Sequence, residues 1–216
     1  MTDPLVAVAV IAALIFLNGL FTAAEFAIVS APHTRLVQQA ESGSRAARRA
    51  LAVQRDPELQ NRFLATAQVG ITVLSVALGM YGESTVAGWL AEPLHELGRL
   101  AAPAAHTVAA VASVALLTSL HVVLGEMIPK SLAIQTAEST VLQVALPMQW
   151  LERLLWPVVL ALNGMGNWLT ARLGVPAADA SSRLMSPQEL ELVVAESLRR
   201  GAIPAVEELL IANIFD

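Results

Sequence analysis

Three short groups of residues could do chemistry, and all of them lie in apolar surroundings. The first is Asn18, Thr22 and Glu25, spaced i, i+4 and i+7, which puts them on one face of a helix. The second is Gln68, Thr72 and Ser75 at the same spacing, continued by Gly79. The third is the stretch Leu124-Gly125-Glu126-Met127-Ile128-Pro129-Lys130. Pro129 has no N–H, so it cannot bond the carbonyl of Gly125 four residues back. Glycine at 125 leaves that backbone open to approach. A freed carbonyl beside a carboxylate is an oxygen cluster, and in lipid such a cluster needs a partner or a water-filled cavity.

Thr22, Glu25, Thr72, Ser75, Glu126 and the Gly125 carbonyl offer oxygen alone. Hard cations choose oxygen, so the set suits magnesium or calcium, and two carboxylates would neutralise a divalent charge. The chain has no cysteine and 4 histidines, which disfavours thiol chemistry and zinc, copper or iron. Each group also has a plainer reading. Glu25 could reach water at the end of its helix, the Gln68 row could be helix glue, and Glu126 could pair with Lys130 one turn on. His121 reads as a packing or hydrogen-bonded residue, five positions from Glu126, which is not a paired helical spacing. No Ser–His–Asp arrangement or metal-hydrolase spacing is visible, so an enzyme is not expected.

The elements that must hold these residues are membrane helices. Of the 216 residues 56% are hydrophobic and 14% charged, against roughly 25% charged in a soluble domain. The net charge of -5 and ten aromatics (Trp 4, Tyr 1, Phe 5) argue against nucleic-acid binding. Apolar runs over about 5–30, 63–82 and 101–128 predict three transmembrane helices, since ~20 residues span a hydrocarbon core. Residues 132–173 are interrupted by Pro147, Glu152, Arg153 and Pro157 and carry Trp150, Trp156 and Trp168. They read as broken juxtamembrane helices in the interface, with a short fourth span over 156–171 as the alternative. Arg35, Arg45, Arg48, Arg49, Arg55 and Arg62 fill the first connection. Positive charge stays on the cytoplasmic side, so the N-terminus is expected outside and the C-terminus inside, in a cell membrane.

From about residue 176 the pattern changes to a polar linker and two acidic helices, the first opening at Ser186-Pro187 with Glu189 behind it. The expected fold is thus all-α and integral to the membrane: a domain over 1–175 and a small soluble helical region over 176–216. The abrupt end at Phe215-Asp216 reads as a chain cut before another domain.

At the residues singled out, the chain resembles the CNNM/CorC family of magnesium transporters, whose bacterial members are also labelled hemolysin family or TlyC-like. The matching pieces are Asn18-Gly-Leu-Phe-Thr-Ala-Ala-Glu-Phe-Ala-Ile-Val29, Leu64-Ala-Thr-Ala-Gln-Val-Gly-Ile-Thr72 and Gly125-Glu-Met-Ile-Pro-Lys-Ser131. The resemblance implies a homodimer with three spans and a belt-like helix per subunit. It implies export of Mg2+, or of Co2+, driven by Na+ entry, and a cation site at Thr22, Glu25, Thr72, Ser75, Gly125 and Glu126. Asn18, Pro129 and Lys130 take structural or hinge roles. It also implies a following CBS pair, absent here, that could bind nucleotide. Ala23, Ala24 and Ile71 depart from the family pattern and leave fewer side-chain oxygens. The rival reading is a membrane-anchored cation sensor or scaffold for a cytoplasmic regulatory domain.

Overall fold

The computed structural model describes residues 3–96 and 102–173. Every element among them is helical. Helix α1 runs Pro4–Ser30, α2 His33–Glu41, α3 Arg45–Arg55, α4 Pro57–Glu96 and α5 Ala102–Leu120. A π-helical segment, His121–Met127, carries α5 directly into α6, Ile128–Gln135, and α7 runs Ala137–Arg172. Among the described residues three stretches are long and apolar enough to cross a membrane: Pro4–Ser30, Pro57–Ala91 and His106–Gln135. The chain is an all-α membrane protein.

Hydropathy located the three spans but not their ends. Helix α4 does not stop near residue 82; it continues through Glu83 and Trp89 to Glu96. Loss of apolar character ends a membrane run without ending a helix, because Glu and Ala are good helix formers. The third span likewise continues past 128 to Gln135. Its proline, Pro129, lies in the first turn of α6, but the π-segment runs into α6 without a break, so the missing N–H leaves a carbonyl upstream without its helical donor.

Residues 132–173 are not a set of broken helices. The one interruption is Thr136, with φ -118 and ψ 38, and α7 then runs unbroken for 36 residues with Pro147 and Pro157 inside it. Both prolines are exposed, so each ring and each freed carbonyl lies on an outer face, where bending suffices. The acidic helices expected beyond residue 176 lie outside the described residues.

The first connection is built, not loose. Ser44 caps α3 by accepting the Ala47 N–H at 3.2 Å, after a turn at Gly43 with φ 98, a value that favours glycine. Gln54 donates to the carbonyls of Ile28 and Ala31 at 3.0 and 2.9 Å, satisfying the open end of α1. Leu36, Ala50, Leu51 and Val53 pack with Ala27 and Ile28 of α1, Phe63 of α4 and Val141, Ala145 and Met148 of α7. Chain contacts divide the protein at Asn163 and Gly164. In the second unit the described residues are exposed, and the Arg172 guanidinium lies 5.2 Å from the Trp168 ring centre.

Candidate cation site

The Gly125 carbonyl, released by Pro129, is taken up by α1. Asn18 donates its Nδ2–H to it at 3.1 Å, and Thr22 directs its hydroxyl to it at 3.2 Å. The Thr22 hydroxyl also lies 3.1 Å from the Asn18 carbonyl. Asn18 and Thr22 are 1% and 4% exposed, so these groups meet away from bulk water, where an unpaired carbonyl is costly.

Close backbone approach makes the meeting possible. A Cβ at Gly19 would stand 2.9 Å from Cγ of Pro129 and 3.6 Å from the Leu124 carbonyl oxygen. A Cβ at Gly125 would stand 2.9 Å from Cδ2 of His121 and 3.2 Å from Nδ2 of Asn18. A side chain at Gly19 would press on the Pro129 ring across the helix pair, and one at Gly125 would displace the His121 imidazole and crowd the Asn18 amide.

Helix α4 contributes Ser75. Its Oγ lies 2.8 Å from the Ile71 carbonyl, 3.5 Å from Oδ1 of Asn18 and 3.3 Å from Nε2 of His121. Which partner donates between Ser75 and His121 depends on the imidazole tautomer. Nε2 of His121 also lies 3.9 Å from Oε1 of Glu126. A spacing of five does not pair in an α-helix, but the π-helical segment closes i→i+5 bonds, and Ile128 N–H bonds the Val123 carbonyl in that pattern. The segment thereby puts His121 and Glu126 on one side. Sequence spacing read with an α-helical ruler misses this pair; the signal available is Pro129, whose missing N–H upsets the α-helical ladder where a π-turn, a frequent feature of functional sites, can form.

The other expected residues fall differently. Thr72 is exposed, and its hydroxyl bonds back to the Gln68 carbonyl at 2.8 Å. Glu25 is half-buried, makes no hydrogen bond to the cluster, and has Lys130 as its charged neighbour. The Lys130 ammonium lies 4.4 Å from the Phe26 ring centre instead of pairing with Glu126. Glu126 has a side chain 46% exposed. Among the described residues no three His, Cys, Asp or Glu side chains converge. A cation here would rest on one carboxylate, on neutral oxygens from Gly125, Asn18, Thr22 and Ser75, and on what His121 adds.

A second polar group, which the sequence did not pair up, sits where α3, α4 and α7 meet. Glu152 is 1% exposed, and its Oε2 is bound by NH2 of Arg49 and lies 4.0 Å from NH2 of Arg62. The Arg62 guanidinium stacks 4.2 Å from the Trp156 ring centre. The arginines that set the expected orientation thus also neutralise the acid of α7.

Comparison with known proteins fits this architecture. The family described as "Cyclin M transmembrane N-terminal domain", CNNM, matches residues 9–208. The chain is 34% identical over 203 residues to the UPF0053 protein YugS of Bacillus subtilis, covering 94% of this chain and 46% of YugS. It is 35% identical over 214 residues to the UPF0053 protein YhdT of the same organism, covering 99% of this chain and 46% of YhdT. It is 36% identical over 203 residues to the Mycobacterium tuberculosis protein Rv1841c, covering 93% of this chain and 56% of that one. The chain spans about half the length of these relatives.

Proposed function

The chain belongs to the CNNM transmembrane family, and from that premise we propose that it moves Mg2+ across a cell membrane through the site between α1, α4 and the π-helical segment. The observation that supports this reading is the Gly125 carbonyl, denied its α-helical donor by Pro129 and met by Asn18 and Thr22. Mg2+ demands a compact set of oxygens at about 2.0–2.1 Å and gives up water reluctantly. The Gly125 carbonyl, the Asn18 amide, the hydroxyls of Thr22 and Ser75 and the Glu126 carboxylate supply such oxygens from three separate spans. Their neutral hydrogen bonds are individually modest, so an ion with strong charge can displace them.

The direction we propose is export, coupled to Na+ entry, with the cytoplasmic side at the α2–α3 connection. A π-turn inside a span lets the helix bend without breaking the apolar run on either side, which fits alternating access. Pairing of two copies belongs to the same reading; the open groove lined by Val111, Val114, Thr118 and Val122 with Glu83 offers a face for it. The test is Mg2+ flux in proteoliposomes with an imposed Na+ gradient. Transport that collapses in Glu126→Gln supports the reading. Wild-type binding of Mg2+ without flux would favour a sensor or scaffold instead.

A further inference from the structure

We propose that His121 is a nitrogen ligand at the cation site and sets its selectivity toward borderline first-row divalent cations such as Co2+ and Ni2+. The inference rests on the reading that the cluster holds a divalent cation, and it assigns a ligand and a selectivity role to a residue outside that reading.

Three separate contacts place the imidazole edge inside the cluster. Nε2 faces Oγ of Ser75 at 3.3 Å and Oε1 of Glu126 at 3.9 Å. The Cδ2–Nε2 edge also lies against Gly125, where an added Cβ would meet Cδ2 at 2.9 Å and Nε2 at 3.6 Å. The His121 side chain is 14% exposed, so the ring is packed in place. The π-turn puts Nε2 and Glu126 Oε1 on one side of the third span, where Ser75 Oγ of α4 faces Nε2, and with the proton on Nδ1 the Nε2 lone pair is available to a cation. Carboxylate, hydroxyl and carbonyl donors alone suit Mg2+, whereas an imidazole suits the later transition metals. A single nitrogen added to an oxygen set therefore raises affinity for Co2+ and Ni2+ much more than for Mg2+.

The experiment is calorimetric titration of the purified detergent-solubilised protein with MgCl2 and with CoCl2, for wild type, Glu126→Gln and His121→Gln. His121→Gln is expected to lower Co2+ affinity by about tenfold or more and Mg2+ affinity by less than about threefold. A second measurement needs no variant. Proton NMR of the wild-type Co2+ complex is expected to show an exchangeable, strongly hyperfine-shifted imidazole N–H that vanishes in D2O. Equal loss of both ions in His121→Gln, or no such proton in the wild-type complex, overturns the proposal. If Mg2+ binds and Glu126→Gln abolishes that binding while His121→Gln leaves the Co2+ to Mg2+ ratio unmoved, this proposal falls and the cation-site reading stands. If the wild type binds neither ion, the cation-site reading falls and takes this one with it.

Discussion

Two polar clusters in this protein solve the same solvation problem in opposite ways. At the α3–α4–α7 junction the Glu152 carboxylate is buried and met by two guanidiniums. At the α1–α4–π-segment junction a backbone carbonyl is met by an amide and a hydroxyl, and the nearby carboxylate of Glu126 remains half exposed beside an imidazole. The first cluster compensates its buried carboxylate with positive charge from two other helices, although Glu152 Oε1 and both arginine Nε atoms stay without a hydrogen-bond partner, so it holds helices in place. The second is rich in oxygen, poor in positive charge and held by neutral hydrogen bonds, so it can exchange those partners for a cation. A buried charge that is already paired reads as architecture; an oxygen-rich cluster without a cation of its own reads as a site.

The largest effect on stability is expected in the first cluster. Arg49→Met should cost about 3–5 kcal/mol in unfolding experiments, because it leaves the Glu152 carboxylate buried and under-compensated. The double variant Arg49→Met/Glu152→Met should recover most of that loss. If the single variant is as stable as the wild type, the contrast between the clusters is broken.

Next comes Asn18→Ala, which removes one donor from the buried Gly125 carbonyl. The expected cost is about 1–3 kcal/mol, measured in the same way, with weakened Mg2+ binding. Gly19→Ala should cost about 1–3 kcal/mol by forcing Pro129 away from α1, and it should weaken Mg2+ binding without touching any proposed ligand. Both variants sharpen the comparison, since they alter stability and binding together where Arg49→Met should alter stability alone.

Glu126→Gln should leave the thermal midpoint within about 2 °C of wild type, because the side chain is half exposed and its ion contact is loose. Mg2+ flux should nevertheless fall by about tenfold or more. The smallest effect belongs to Thr72→Val. The Thr72 hydroxyl is exposed and turned back on Gln68, so unfolding and Mg2+ binding should both stay near wild type. A large loss of binding in Thr72→Val would move the α4 contribution from Ser75 to Thr72.

Much of this arrangement is legible in the residues. The pair Gly125 and Pro129 announces a carbonyl with no donor of its own, and Asn18 and Thr22 on one face of α1 announce donors. Spacing arithmetic carries that far because it depends on the ideal helix alone. It fails at His121, where the backbone leaves the α-helical register and a separation of five becomes a contact. It fails again at Thr72 and Ser75, which share a row but are three residues, or about 60°, apart around the helix; packing turns one toward Asn18 and the other outward. Glu152 looked like a reason to break α7, because its partners lie about 90 and 100 positions away in sequence, at Arg62 and Arg49. Long-range pairing of this kind leaves no local pattern.

The most direct test of the central claim is an anomalous difference map from crystals grown with Mn2+ as a surrogate for Mg2+. The account predicts a peak between α1 and the π-helical segment, within coordination distance of the Gly125 carbonyl oxygen and bordered by Asn18, Ser75 and Glu126. A saturated complex whose ion lies elsewhere, with the Gly125 carbonyl still bonded to Asn18 and Thr22, would contradict it.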